Sequence, residues 1–391
     1  MNTANTPAHV RLWHRDFWLL VIASLLLTMS VYVLLPAMPR WMMEEENFTP
    51  GETGLAMGVF AVGLYTLGAL CSWLVQRYRR NVVCMWAMAA VAAAAAMLWY
   101  IDSQRSEFAE QWGIVLLRFL QGAAFGLAQM VLSSTLIVDT CESSQRTAAN
   151  HGNAWVSRLA LSLGPLTGLL VSDSYGFGFG GAAVASVAAA LLALVMVRSV
   201  KFPFRTPADE VHVVSLDRFF LPHGTVLFVN LVLVSTVVGL MLVLPLGVDF
   251  YLLMMGGFVL ALLAQRFAFR EAELKSEVVS GLFLLFAALL VLLVSPLSPV
   301  APVLTGLGVG VIASRFLLFF VKLSHHCQRG TAQSSCFLGW ETGIALGLAA
   351  GYGLFYNHPV QLLYTALALT AAALAMYHFY THQWFIRNKN R

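Results

Sequence analysis

Four ionisable residues, Arg118, Arg158, Arg315 and Glu341, stand inside long apolar runs. A charge at the centre of such a run costs about 2.5–3.5 kcal/mol on insertion scales, so these positions point to a water-filled cavity or a paired partner. Burial disfavours the charged form of a carboxylate, which is the property a proton carrier needs. Glu341 is read as the one carboxylate well inside a run, nine residues or roughly 13 Å from its nearer end. Arg315 falls at similar depth in the preceding run, which leaves two readings of Glu341: a proton carrier, or half of a permanent Arg315–Glu341 pair. Arg118 lies seven residues, roughly 10 Å, into its run, close to Gln121, and is either a functional cation or a hydrogen-bond hub. Arg158 either pairs across the molecule, binds an anionic substrate, or reaches back to water along its flexible stem.

These residues must be positioned by helices that cross a bilayer. The chain is 59% hydrophobic and 11% charged, with mean hydropathy +0.76, whereas soluble domains carry about a quarter charged residues. Twelve runs are long enough to span, at roughly 17–38, 52–75, 81–101, 112–138, 149–171, 177–198, 220–245, 248–268, 277–295, 299–322, 332–355 and 359–382. The expected fold is an all-α membrane protein in a lipid bilayer. The first run is too long for a signal-peptide core and is expected to stay as a membrane helix.

With both termini inside, the cytoplasmic loops and ends hold Arg11, Arg15, Arg77, Arg79, Arg80, Arg146, Arg198, Lys201, Arg205, Arg218, Arg266, Arg270, Lys275, Lys322, Arg329, Arg387, Lys389 and Arg391, while Arg40 and Arg105 fall outside beside Glu44, Glu45, Glu46, Asp102, Glu107, Glu110 and Asp173. The positive-inside rule then orients the chain, and the inner (plasma) membrane is the expected location. The basic residues are scattered over short loops, so no nucleic-acid partner is expected. Cys71, Cys84, Cys141, Cys327 and Cys336 sit toward the reducing side, which argues against disulfides. His325, His326 and Cys327 are read as loop-end residues, and no metal or cofactor is expected. His151 and His326 titrate near neutrality in water, but both sit at cytoplasmic helix ends. Asp139 and Asp249 are read as solvated. No phosphate-cradling glycine loop with Lys and Ser/Thr is present, and no insert is long enough for a catalytic domain, so an enzyme is not expected.

The longest polar stretch separates two six-helix halves, 1–198 and 220–391, joined by a cytoplasmic linker at 199–219 containing Pro203, Pro207, Asp209, Glu210 and Asp217. An internal echo supports duplication. Gln145-Arg146-Thr147 leads to Trp155 and Arg158 in run 5, and Gln328-Arg329-Gly330-Thr331 leads to Trp340 and Glu341 in run 11. Glycines recur every fourth residue at Gly339, Gly343, Gly347 and Gly351, a smooth face for a neighbouring backbone. Gly54 with Gly58, and Gly122 with Gly126, are similar pairs.

Four segments carry a resemblance to a known family. Arg118-Phe119-Leu120-Gln121-Gly122 is similar to an R-x-x-Q-G motif, and Gly164-Pro165-Leu166-Thr167-Gly168 to a G-P-x-x-G motif. Pro36 to Pro39 and Thr53 to Leu64 are similar to the text around the first two helices. The chain resembles the major facilitator superfamily, drug/proton antiporter type, over all twelve runs. The resemblance implies two pseudo-symmetric bundles and proton-coupled export of a small amphipathic molecule by alternating access, with Arg118 linked to proton coupling and Gly164, Pro165 and Gly168 to exporters. Glu341 and Arg315 join Arg118 as coupling candidates. Tyr32, Gln121, Phe125, Met130, Trp155, Arg158 and Trp340 are the cavity-wall candidates. The loop after run 2 departs from the family's G-x-L-x-D-R-x-G-R pattern: Ser72, Gln76 and Arg79 replace glycine, acid and glycine, while Arg77 and Arg80 remain. In the family that acid latches the cytoplasmic end of helix 11, and Gln76 brings no charge. Import of a sugar or metabolite, and a non-transporting receptor or assembly factor, are the other readings. A monomer is expected.

Overall fold

The computed structural model describes residues 12–104, 111–142, 145–202, 212–269, 273–325 and 328–389. Arg11, Arg105, Glu107, Glu110, Pro203, Arg205, Pro207, Asp209, Glu210, Arg270, His326, Cys327 and Arg391 lie outside the described residues. Eleven described helices are long and apolar enough to cross a membrane: α1 (Arg15–Glu44), α2 (Pro50–Arg77), α3 (Arg80–Ser103), α4 (Gln111–Asp139), α5 (Arg146–Ser174), α6 (Gly178–Ser199), α7 (Pro222–Met241), α8 (Val248–Phe267), α9 (Leu274–Val294), α10 (Val300–Leu323) and α12 (Pro359–Asn388). The twelfth, α11 (Arg329–Phe355), is 27 residues long. It is more polar, carrying Gln333, Ser334, Ser335, Glu341 and Thr342 along its length, because much of it faces protein rather than lipid.

The helices are interrupted where their sequences require it. The α-helical run of α1 breaks at Val33, since Pro36 has no N–H to give the Tyr32 carbonyl. In α4 a π-helical turn spans Leu132–Leu136; there Ser133 and Ser134 return their hydroxyls to the carbonyls of Gln129 and Met130 at 2.6 and 2.5 Å, and Thr135 does the same to Val131. Such back-bonding competes with the regular ladder and loosens it. Helix α5 is broken at Leu159, next to Arg158.

Packing groups α1 with α5 and α6, α2 with α4, and α3 with α4 and α6; the other half groups α7 with α11 and α12, α8 with α10, and α9 with α10 and α12. The halves meet mainly through α2 with α11, and through α5 with α8 and α10. Glycines govern these approaches. On α11, Gly343 and Gly347 face the backbone of α7 within the same half, so that stripe fixes a pair of helices. The glycine face between the halves belongs to α2, where Gly54 and Gly58 abut Ala349 and Gly353 of α11. A Cβ at Gly343 would sit 2.5 Å from the Val232 carbonyl and 2.8 Å from the Thr236 nitrogen. Gly343→Val is therefore expected to destabilise the protein by about 1–3 kcal/mol or more, because backbone cannot swing aside as a side chain can. A lowered unfolding midpoint in detergent, with Gly353→Val as an unhindered control, checks this.

Candidate functional site

Polar side chains four residues apart lie on one face of a helix. Four such faces converge between the halves: Ser24, Thr28 and Tyr32 from α1; Gln129 and Ser133 from α4; Asn153, Ser157 and Leu161 with Arg158 from α5; and Gln333, Phe337 and Glu341 with Trp340 from α11. Leu231 of α7 and Ala313 and Leu317 of α10 complete the wall. The space between them offers about 80 Å³ to the centres of water molecules, where one water needs about 10–15 Å³ by the same measure. Contacts between halves bracket it. Toward one end Gly54 meets Gly353; at the depth of Glu341 the Tyr65 and Thr342 hydroxyls bond at 2.7 Å; toward the other end Gly330 packs on Ser134.

The wall is hydrogen-bonded almost throughout. Ser24 bonds Ser157 at 2.8 Å and donates to Gln129 Oε1 at 3.2 Å, while Gln129 Nε2 donates to Thr28 Oγ1 at 2.6 Å. The Tyr32 hydroxyl donates to Glu341 Oε1 at 2.8 Å. Arg158 Nη2 donates to the Ala313 carbonyl at 2.5 Å across the halves. Its Nη1 is buried without a partner, as is Gln333 Oε1. A buried, unused donor on a guanidinium is expensive, and here it belongs to a residue of the cavity wall.

Tyr32, Arg158, Trp340 and Glu341 thus come together at one cavity. Gln121, Phe125, Met130 and Trp155 are not among its lining residues. Phe125 packs at a tilt between Phe60 and Phe337, 5.7 Å from each; Met130 is fully buried; Trp155 packs with Ala261 and Val311. Gln121 lies eight residues along α4 from Gln129, roughly 12 Å, and bonds Arg118 instead.

The expected Arg315–Glu341 pair is corrected. Arg315 pairs with Glu277 of α9, not with Glu341. On α10, Ala313 and Leu317 face the cavity, and Arg315 lies two residues from each, about 200° around the axis at 3.6 residues per turn. Glu277, placed by the sequence at the edge of a run, is 1% exposed and is a second buried carboxylate. Arg118 does not line the cavity either. It is 1% exposed, donates to Gln121 Oε1 at 2.6 Å, and lies 4.8 Å over the Phe60 ring.

At the cytoplasm-assigned end, Asp139, expected to be solvated, pairs with Arg80. Gln76 donates to Ser72 at 3.0 Å, and Arg77 is exposed. Gly164 and Gly168 seat α5 against Tyr32 and Val33 of α1, with Pro165 between them. Asp249 is exposed at the start of α8. The polar stripes of α1 and α4 were missed by a reading that followed charges; the four-residue spacing of Ser24, Thr28 and Tyr32, and of Gln129 and Ser133, is the signal that finds them.

The profile of the Major Facilitator Superfamily matches residues 20–298. No curated protein sequence matches the chain significantly. Among solved structures, the chain is similar to a bacterial homologue of the iron transporter ferroportin in the outward-facing state (TM-score 0.63, 13% identity, 95% of this chain and 99% of that one). It is also similar to the human organic anion transporter MFSD10 (TETRAN) (0.66, 15%, 93% and 98%) and to a point mutant of the nucleoside transporter NupG (0.65, 11%, 93% and 99%). At these identities the likeness is one of fold.

Proposed function

The chain belongs to the major facilitator superfamily, a family of transporters rather than enzymes, and from that premise we propose that it is a proton-coupled exporter of a small amphipathic molecule. The cavity between the halves is the substrate site, reached alternately from each side as residues 1–198 and 220–391 rock about the 199–219 linker. The protein works in the inner membrane as a monomer with both termini cytoplasmic. The observation that carries this reading is the cavity wall itself: one carboxylate and one guanidinium with an unused donor, amid hydroxyls, amides, Trp340 and Phe337. Such a wall suits a molecule with an apolar body and a polar or charged end. Glu341 carries the proton, and Arg118 supports coupling from behind the wall through Gln121 and Phe60. A second reading, import of a sugar or metabolite, draws on the same ring of Ser24, Thr28, Gln129, Asn153, Ser157 and Gln333, which offers many hydrogen bonds.

Proteoliposomes with an internal pH dye test both. An exported compound moves protons opposite to itself, and an imported one moves them alongside. A compound that stabilises the purified protein, and so binds its folded state, yet moves no protons in either direction would overturn the coupled reading. Arg158→Met is expected to weaken binding of acidic or acceptor-rich compounds roughly 10- to 100-fold, the worth of a hydrogen bond from a charged donor. The same change should leave the binding of cationic compounds unimpaired. Isothermal titration on wild type and variant reads the difference.

A further inference from the structure

The described end of the linker is not a slack tether. Residues 215–221 lie across the cytoplasm-assigned end of the cavity path and bond to both halves. On the amino-terminal side, the Ser215 N–H donates to the Ala69 carbonyl at 3.0 Å and Ser72 donates to Asp217 Oδ2 at 3.4 Å. The Phe219 ring also fills the space over Gly68, 6.1 Å from the Tyr65 ring. On the carboxy-terminal side, Thr331 donates to Asp217 Oδ1 at 3.1 Å, the Arg218 N–H donates to Thr331 Oγ1 at 2.9 Å, and the Leu221 N–H donates to Ser335 Oγ at 2.8 Å. The two oxygens of one carboxylate are thus shared between α2 and α11, the helices whose contact joins the halves. Ser72, Thr331 and Ser335 are buried, whereas the Asp217 carboxylate is 48% exposed and also meets Arg218 Nε at 3.7 Å, so the buried hydroxyls fix its position while water competes for its outer face.

Arg218 adds a second sign of tension. Its φ is +60°, a left-handed conformation that costs a non-glycine residue of order 1–3 kcal/mol and persists only where surrounding contacts hold it. The chain continues from residue 221 directly into α7. The contacts with α11 therefore lie within one half, and those with α2 are the ones that separation of the halves must break.

We propose that residues 215–221 form a strap that holds the cytoplasmic end of the transporter closed, with Asp217 as its clasp and Phe219 as its apolar anchor. The proposal rests on the alternating-access reading, and it assigns the gate to the end of the linker where the chain enters α7.

Native cysteines supply the test without any known substrate. Cys71 is buried beneath the strap, within reach of the charges of Arg218 and Asp217; Cys336 lines the central cavity; Cys141, partly exposed, is the reference. Maleimide labelling of the purified full-length protein, quantified by peptide mass, is expected to be slow at Cys71 and Cys336. In Asp217→Ala both rates should rise about 3- to 10-fold, the shift for losing hydrogen bonds to a half-exposed carboxylate. Gly68→Ala, whose methyl group would collide with the Phe219 ring, should do the same while Cys141 keeps its rate and the unfolding midpoint holds. Faster labelling of Cys71 alone in these variants, or an unchanged Cys336 rate in both, overturns the strap as a gate. Because labelling needs no gradient, a failed strap with intact proton-driven transport discards only this proposal. An opened cavity in a protein that never moves protons discards only the coupling.

Discussion

Glu341→Gln is expected to fold normally and to retain substrate binding, yet to lose proton-driven accumulation and fall to passive equilibration. The Tyr32 hydroxyl donates to Glu341 Oε1, and the amide oxygen of glutamine accepts the same hydrogen bond. Glu341 forms no ion pair with any described residue, so the substitution strands no buried cation. Stability should therefore change by no more than about 1 kcal/mol, the net worth of an ordinary hydrogen bond. What the amide removes is the capacity to take up and release a proton in the cavity wall. Unfolding in detergent, ligand binding, and uptake driven by an imposed pH gradient are to be compared between wild type and variant. Full gradient-driven accumulation in a stable Glu341→Gln protein would falsify the carrier role.

Glu277 and Arg315 should behave in the opposite way. Their side chains are 1% and 18% exposed and paired, so neutralising either one leaves a desolvated charge alone. Glu277→Gln and Arg315→Met are each expected to cost about 3–5 kcal/mol, and the double substitution to recover most of that loss. Combining Glu341→Gln with Arg315→Met should give additive effects within about 0.5 kcal/mol, as for residues that share no partner. A four-variant cycle of denaturant unfolding decides it: strong coupling between Arg315 and Glu341, with little between Arg315 and Glu277, would contradict the geometry. The two carboxylates thus separate by role, one joining α9 to α10 and one facing the cavity.

Depth along each run places Arg315 level with Glu341, and Arg118 roughly 10 Å inside α4. Depth was legible because hydropathy is a property of local sequence and rise per residue is constant. Direction was not. A helix turns about 100° per residue, and which side faces cavity, lipid or neighbour depends on helices far away in the chain. Arg315 therefore turned to α9, and Arg118 to Phe60 of α2. Glu277 was misplaced for a related reason: its polarity ended the apolar run in the sequence, while a partner on α10 draws it inside.

Several features follow from the amino-acid sequence alone. They are the membrane-crossing helices, the polar break near 199–219, the paired positions of Arg158 and Glu341 in the two echoed helices, and the glycine pairs of α2, α4 and α5. Each is encoded in composition or in spacing within one element. Only the tertiary structure decided that Gly54 and Gly58 face the opposite half while the stripe of α11 faces its own, that Tyr32 reaches Glu341, and that Asp217 is held by α2 and α11 together. Those contacts join residues as much as 309 positions apart. Their partners are chosen by the packing of whole helices, which no local pattern of side chains records.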